Sequence, residues 1–222
     1  MNTRIFLRLY QPVITLLALC AIAAIACKIP ASTEKPTQAT TQLLFQDDFS
    51  DPSSGWNRVA TNEGETNYTD NVYRIFVNST DLDIWAKPGL NFIDARIEVD
   101  AYKVDGERNN RFGILCRVDG TNFYAFLISS DGYYGIGKVK DQVFTLLGMD
   151  TLQPSPAIRI GSDLNHLRAD CIGSQLTFYV NNQKIAEADD SEFKSGDVGL
   201  MAGTYDTPGT DIRFDNFAVY RP

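Results

Sequence analysis

An all-β fold, a two-sheet antiparallel β-sandwich, is predicted by three features of the chain beyond residue 42. The first is Arg111 to Lys140, RFGILCRVDGTNFYAFLISSDGYYGIGKVK, where three strand-like runs are separated by Val118-Asp119-Gly120-Thr121-Asn122 and by Ser130-Asp131-Gly132. Asp-Gly supplies the positive φ angles that tight reversals need, so this segment reads as a meander. The second is a series of short runs, Val72–Val77, Leu82–Ala86, Ala95–Lys103, Asn165–Ile172, Gln175–Val180, Val198–Gly203 and Asp211–Tyr220, divided by Gly, Asn, Asp and Pro clusters. The third is the lack of any helical pattern of useful length; Asp189 to Lys194 has room for at most one turn before Ser195-Gly196. Strands without a helical layer bury their faces only by stacking two sheets or closing a barrel, and one sandwich over Leu43 to Pro222 is the expectation.

Within the meander, alternation puts Phe112, Ile114, Cys116 and Val118 on one face and Gly113, Leu115 and Arg117 on the other. The middle strand, Phe123 to Ser129, is apolar on both faces, as expected of a central strand whose second face is partly covered. Gln175–Val180, Asn181-Asn182 and Gln183–Ala188 form another hairpin. Cys116 and Cys171 lie in strand-like runs among apolar neighbours, and in an exported chain they read as a disulfide; two buried free thiols are the alternative.

Export is read from the N-terminus. Arg4 and Arg8, an apolar run from Val13, and Ala23, Ala24 and Ala26 before Cys27 have the three parts of a signal segment. Ala24-Ile25-Ala26-Cys27 resembles the lipobox of bacterial lipoproteins, which implies removal of residues 1–26, lipidation of Cys27 and anchoring in a membrane of the bacterial cell envelope, facing outside the cytoplasm. The alternative is an uncleaved span, but Val13 to Cys27 is shorter than the ~20 residues that cross a bilayer as a helix. Lys28 to Gln42, KIPASTEKPTQATTQ, lacks aromatic residues and reads with Cys27 as a flexible tether. The formal net charge is −8, and nucleic acid is excluded as a partner class because phosphate binding needs a basic face.

Five segments, read together, carry a further resemblance: LLFQDDFS from Leu43, NFYAFLISSDGYYGIGK, LRADCIGSQLTFYVNNQKIAE, FKSGDVGLMAG and the closing DIRFDNFAVY. In this order they resemble the concanavalin A-like (laminin-G-like) jelly-roll domains of bacterial surface lipoproteins, and among these the type labelled 3-keto-disaccharide hydrolase-like. The resemblance implies a jelly roll with carbohydrate as the expected partner.

Glu98-Val99-Asp100 partly resembles the Glu-x-Asp-x-x-Glu strand of family-16 glucanases, but the last position is Lys103 and Glu107 lies beyond an Asp105-Gly106 turn. The pair therefore reads as surface carboxylates. His166 is the only histidine, which excludes His-dependent triads and multi-histidine metal sites, and alternation turns it outward. Asp47, Asp48 and Asp215, with Asp51 and Asn216, are the candidate ligands of a structural Ca²⁺, since the first and last strands of such sandwiches run side by side; turn caps are the alternative. For sugar binding the candidates are the rings Trp56, Trp85, Tyr124, Tyr133 and Tyr134 with Arg117 and Lys138, because pyranose C–H faces stack on flat rings while charged groups orient hydroxyls. The expected role is non-catalytic carbohydrate binding. A glycoside hydrolase and a protein-binding adhesion or scaffold domain are the alternatives.

Overall fold

The computed structural model describes residues 42–222. The expected signal segment, Cys27 and the tether as far as residue 41 lie outside the described residues. Sixteen strands and no helix form in the described part. In chain order they begin with β1 (Gln42–Asp47), β2 (Val59–Ala60), β3 (Gly64–Thr69), β4 (Val72–Val77), β5 (Asp83–Ala86) and β6 (Ala95–Asp105). The meander follows as β7 (Asn110–Asp119), β8 (Asn122–Ile128) and β9 (Tyr133–Lys140), then β10 (Val143–Leu146) and β11 (Gln153–Pro154). The chain closes with β12 (Asn165–Ile172), β13 (Gln175–Val180), β14 (Gln183–Asp189), β15 (Asp197–Thr204) and β16 (Thr210–Arg221).

Two antiparallel sheets result. Sheet A has the order β14-β13-β12-β6-β16-β4-β3-β2, with β1 also paired to β16; sheet B has the order β10-β9-β8-β7-β15-β5, with β11 also on β9. Non-sequential neighbours such as β6-β16, β12-β6 and β7-β15 mark crossovers that let the chain alternate between layers. Strand alternation then fills the space between the sheets: Ile75, Ile97, Val99, Leu167, Phe178 and Phe214 from sheet A meet Phe112, Ile114, Tyr124, Phe126, Ile136 and Leu200 from sheet B, all essentially without solvent exposure. Cys116 on β7 is joined to Cys171 on β12, so the expected disulfide ties one sheet to the other.

Sheet B departs from the expected alternation at one point. The β7–β8 register shifts between Cys116 and Asp119, and Arg117 takes φ +53°, a left-handed conformation that bulges the strand. The extra residue sends Val118 to the outer face, where it joins Leu115, Phe123, Ala125, Leu127 and Met201 in a second apolar cluster and not the core side with Ile114. Arg117 is held by its surroundings at 3% exposure, with Nε donating to Ile93 O at 3.1 Å and Nη1 to Phe193 O at 2.9 Å.

Candidate functional site

The outer face of sheet B carries a cleft of about 240 Å³. Its relief comes from glycine. A Cβ on Gly137 would overlap the Phe144 ring, and one on Gly135 would come within 2.6 Å of Leu152 and 2.9 Å of Leu146. Without those side chains, the segment after β9 doubles back twice, β10 pairing with residues 137–140 and β11 with residues 133–134. Phe144, Leu146 and Leu152 therefore wall one side, Leu127 contributes from β8, and Asp81, Asp83 and Tyr205 stand across from β9. The cleft opens into a wider vestibule of about 510 Å³ that shares Ser129, Tyr133, Leu152 and Tyr205 and adds Asn109, Asp131 and Thr151.

The polar centre of the cleft is Arg111. Its Nε donates to Asp83 Oδ1 at 2.5 Å, its Nη2 lies 3.7 Å from Asp81, and its guanidinium sits over the Tyr205 ring at 4.4 Å. Burial pushes the Asp83 carboxyl above the usual carboxylate range, against the pull of the Arg111 charge. Gly203 on β15 makes room for the pair, since a Cβ there would overlap Asp83 Oδ1. Arg111 Nε engages only one Asp83 oxygen and Nη2 faces Asp81, which leaves Asp83 Oδ2 as an acceptor and Arg111 Nη1 as a donor with no hydrogen-bond partner among the described residues. Such a pair, flanked by rings, can fix neighbouring hydroxyls of a flat-faced ligand.

The residues singled out from sequence fall in three places. Tyr133, 41% exposed, and Tyr134 line the cleft. Trp85 lies on the same outer face, with its ring 5.5 Å from that of Phe123, and faces a depression at the sheet edge with Val59, Thr61 and Glu63. Tyr124, Arg117 and Lys138 are elsewhere. Tyr124 is inside the core and donates its hydroxyl to Asp190 at 2.5 Å, and burial, with the Asp190 charge, pushes it up to about 12. Lys138 is clamped between Asp190 at 2.6 Å and Glu192 at 2.8 Å. Trp56 is buried and donates to Asp47. The seven candidate ligand residues thus do not form one platform. Sequence reasoning missed Asp81, Asp83, Arg111, Phe144 and Tyr205; Asp83 stands two residues before Trp85, a spacing that places both on one strand face.

The acidic candidates are engaged within the fold. β1 does pair with β16, yet Asp47 accepts from Phe49 N at 2.8 Å and Trp56 Nε1 at 3.0 Å, Asp48 caps Ser50, and Asp215 accepts from Asn216 N at 2.7 Å. No group of three or more potential ligands is arranged to hold a metal ion among the described residues. Glu98 and Asp100 lie on the outer face of sheet A, where His166 sits between them, Nδ1 2.8 Å from Asp100 and Nε2 3.7 Å from Glu98. Lys103 turns to Gly106 O at 2.8 Å.

The protein is an all-β sandwich of two antiparallel sheets with jelly-roll topology, with a ring-lined cleft on one outer face. No family model matches the chain, and no curated protein matches it. Solved structures do. The carbohydrate-binding module CBM66 from Bacillus subtilis superposes with TM-score 0.62 at 19% identity, over 76% of this chain and 96% of that one. A GlcNAcα1-4Gal-releasing endo-β-galactosidase from Clostridium perfringens gives TM-score 0.60 at 10% identity, over 83% of this chain and 64% of that one. A Bacillus subtilis protein with a galectin-like fold gives TM-score 0.58 at 13% identity, over 81% and 96%. At these identities the likeness is one of fold.

Proposed function

We propose that this protein is an envelope-anchored lipoprotein whose sandwich binds carbohydrate in the cleft on the outer face of sheet B. One observation carries the reading: the exposed Tyr133 and Phe144 rings and the half-buried Tyr205 ring line the same cleft as the Arg111–Asp83 pair, giving apolar ring surface beside an oriented donor and acceptor. The structural neighbours that are named for binding or cleaving glycans support it by analogy of fold. A glycan array probed with the full chain, followed by the Tyr205→Ala and Arg111→Met variants, tests it. Retention of a polysaccharide class that both variants lose is expected; a chain that binds no glycan ends the proposal. Anchoring rests on the sequence around Cys27. Metabolic labelling with an alkynyl fatty acid should mark the chain and leave Cys27→Ala unlabelled.

Glycoside hydrolysis, including the 3-keto-disaccharide type, is a second reading favoured by one feature. Asp81 and Asp83 are two carboxylates on one cleft, and Asp83 is shifted toward its protonated form by burial. Release of reducing ends from a bound oligosaccharide, abolished by Asp83→Asn, would establish it.

A further inference from the structure

The charges around the cleft are unbalanced. The cleft and its vestibule are lined by three carboxylates, Asp81, Asp83 and Asp131, against the single guanidinium of Arg111. That guanidinium already faces two of them, Asp83 at 2.5 Å and Asp81 at 3.7 Å. Asp81 projects into solvent at 90% exposure, and Asp131 is likewise exposed, accepting from the Ser129 hydroxyl beside Tyr133. Asp131 thus lines the vestibule between Tyr133 and Tyr205 and Asp81 lines the cleft within it, so a ligand held there has two exposed carboxylates beside the Arg111–Asp83 pair.

We propose that this arrangement makes the site selective by ligand charge: it accepts neutral or amino sugars and rejects uronates, sialylated and sulfated glycans. The inference rests on the carbohydrate reading above. Three physical steps lead to it. A carboxylate on the ligand would need a cation of its own, and Arg111 is already shared between Asp83 and Asp81. Like charges a few ångströms apart in a partly desolvated cleft repel more strongly than they do in water. A hydroxyl or an ammonium, by contrast, can donate to Asp83 Oδ2 or to the Asp81 and Asp131 rims without displacing any existing pair.

The test uses matched ligands that differ in one group, an oligogalactoside and the corresponding oligogalacturonide, with glucosamine oligomers as the cationic arm. Binding of the full chain is titrated at low and at near-physiological ionic strength. The neutral or cationic oligomer should bind at least about tenfold more tightly than the acidic one at low salt, with the gap narrowing as salt screens the rim. The Asp81→Asn, Asp131→Asn double variant should reduce that gap to about twofold while keeping the fold, because both side chains are exposed and asparagine tolerates the φ of +49° at position 81. Equal or tighter binding of the acidic oligomer overturns the inference and leaves the carbohydrate reading standing. An unchanged gap in the double variant also overturns it, since discrimination would then arise elsewhere. Failure to bind any of the three oligomers overturns the inference and leaves the carbohydrate reading to the array; failure to bind any glycan on the array removes both together.

Discussion

On the outer face of sheet A, Arg74 lies between Glu65 and Asp211 at 2.8 and 2.9 Å, Arg168 holds Asp170 at 2.5 Å beneath the Tyr179 ring, and His166 bridges Glu98 and Asp100. On the outer face of sheet B the strands carry Leu115, Phe123, Leu127 and Met201, glycines at 135, 137 and 203, and one guanidinium facing two carboxylates. Both faces obey the same alternation about the same core. They differ in what they leave over. Cross-strand charges on sheet A neutralise one another and form a flat solvated ladder. Glycines on sheet B remove side-chain bulk, so neighbouring rings and a returning loop create relief, and the polar groups within it keep donors and acceptors free. Function is expected where complementarity within the protein is incomplete.

The largest effect should come from separating the two layers. Replacing Cys116 and Cys171 by alanine removes a cross-link spanning 55 residues, which the chain-entropy model values at about 4 kcal/mol. Urea unfolding should show that loss, while the affinity of the folded protein for its glycan stays within about twofold because the cleft lies away from the bridge. An affinity that falls with stability would mean that the cleft depends on how the sheets are tied. Next comes a matched pair of rings. Tyr205→Ala removes the ring beneath Arg111 and should weaken glycan binding by about 2 kcal/mol. Tyr179→Ala removes the equivalent ring beneath Arg168 on sheet A and should leave binding unchanged. Equal losses in the two variants would place the ligand somewhere other than the cleft. A smaller effect is expected from Gly203→Ala, whose methyl group would push Asp83 off Arg111 and weaken binding by about 1 kcal/mol, read by titration calorimetry.

The sandwich was legible because its signals are local. Val72–Val77, Asn165–Ile172 and Gln175–Val180 alternate cleanly and form β4, β12 and β13 over the expected residues. Asp119-Gly120 also turns where that dipeptide should, with Asp119 paired to Asn122 across Gly120 at φ +60°. β3 was not visible, since GETNYT has no apolar alternation and is held by pairing with β4. The bulge at Arg117 had no signal either: arginine is an unusual residue for positive φ, and the contacts that hold it come from residues 93 and 193. Of the cleft, Tyr133 and Tyr134 were identified. Arg111, Phe144 and Tyr205 were not, because their convergence depends on strand order and on a loop folding back over glycines, both of which are non-local.

The smallest expected effect separates the two faces by the direction of their pH dependence. On sheet A, the Glu98 carboxylate 3.7 Å away, with the Asp100 carboxylate hydrogen-bonded at 2.8 Å, raises the His166 pKa above its ordinary 6.5. A group with a raised folded-state pKa contributes stability that is fully present below 6.5 and is lost as pH rises through the higher, folded value. With the imidazole 34% exposed, solvent screening holds this contribution below about 1 kcal/mol. The stability difference between the wild type and His166→Gln should therefore shrink from acidic to alkaline pH in urea titrations; a difference that stays constant would mean the ladder is held by packing alone. On sheet B the relevant group is Asp83, also raised, and here the ionised form is the one that pairs with Arg111 and, in the proposed carbohydrate reading, would accept from a sugar hydroxyl. Glycan affinity should weaken as pH falls through the Asp83 value and recover above it. As pH rises, the ladder on sheet A loses stabilisation while the cleft on sheet B gains affinity, and His166→Gln should leave the second trend untouched.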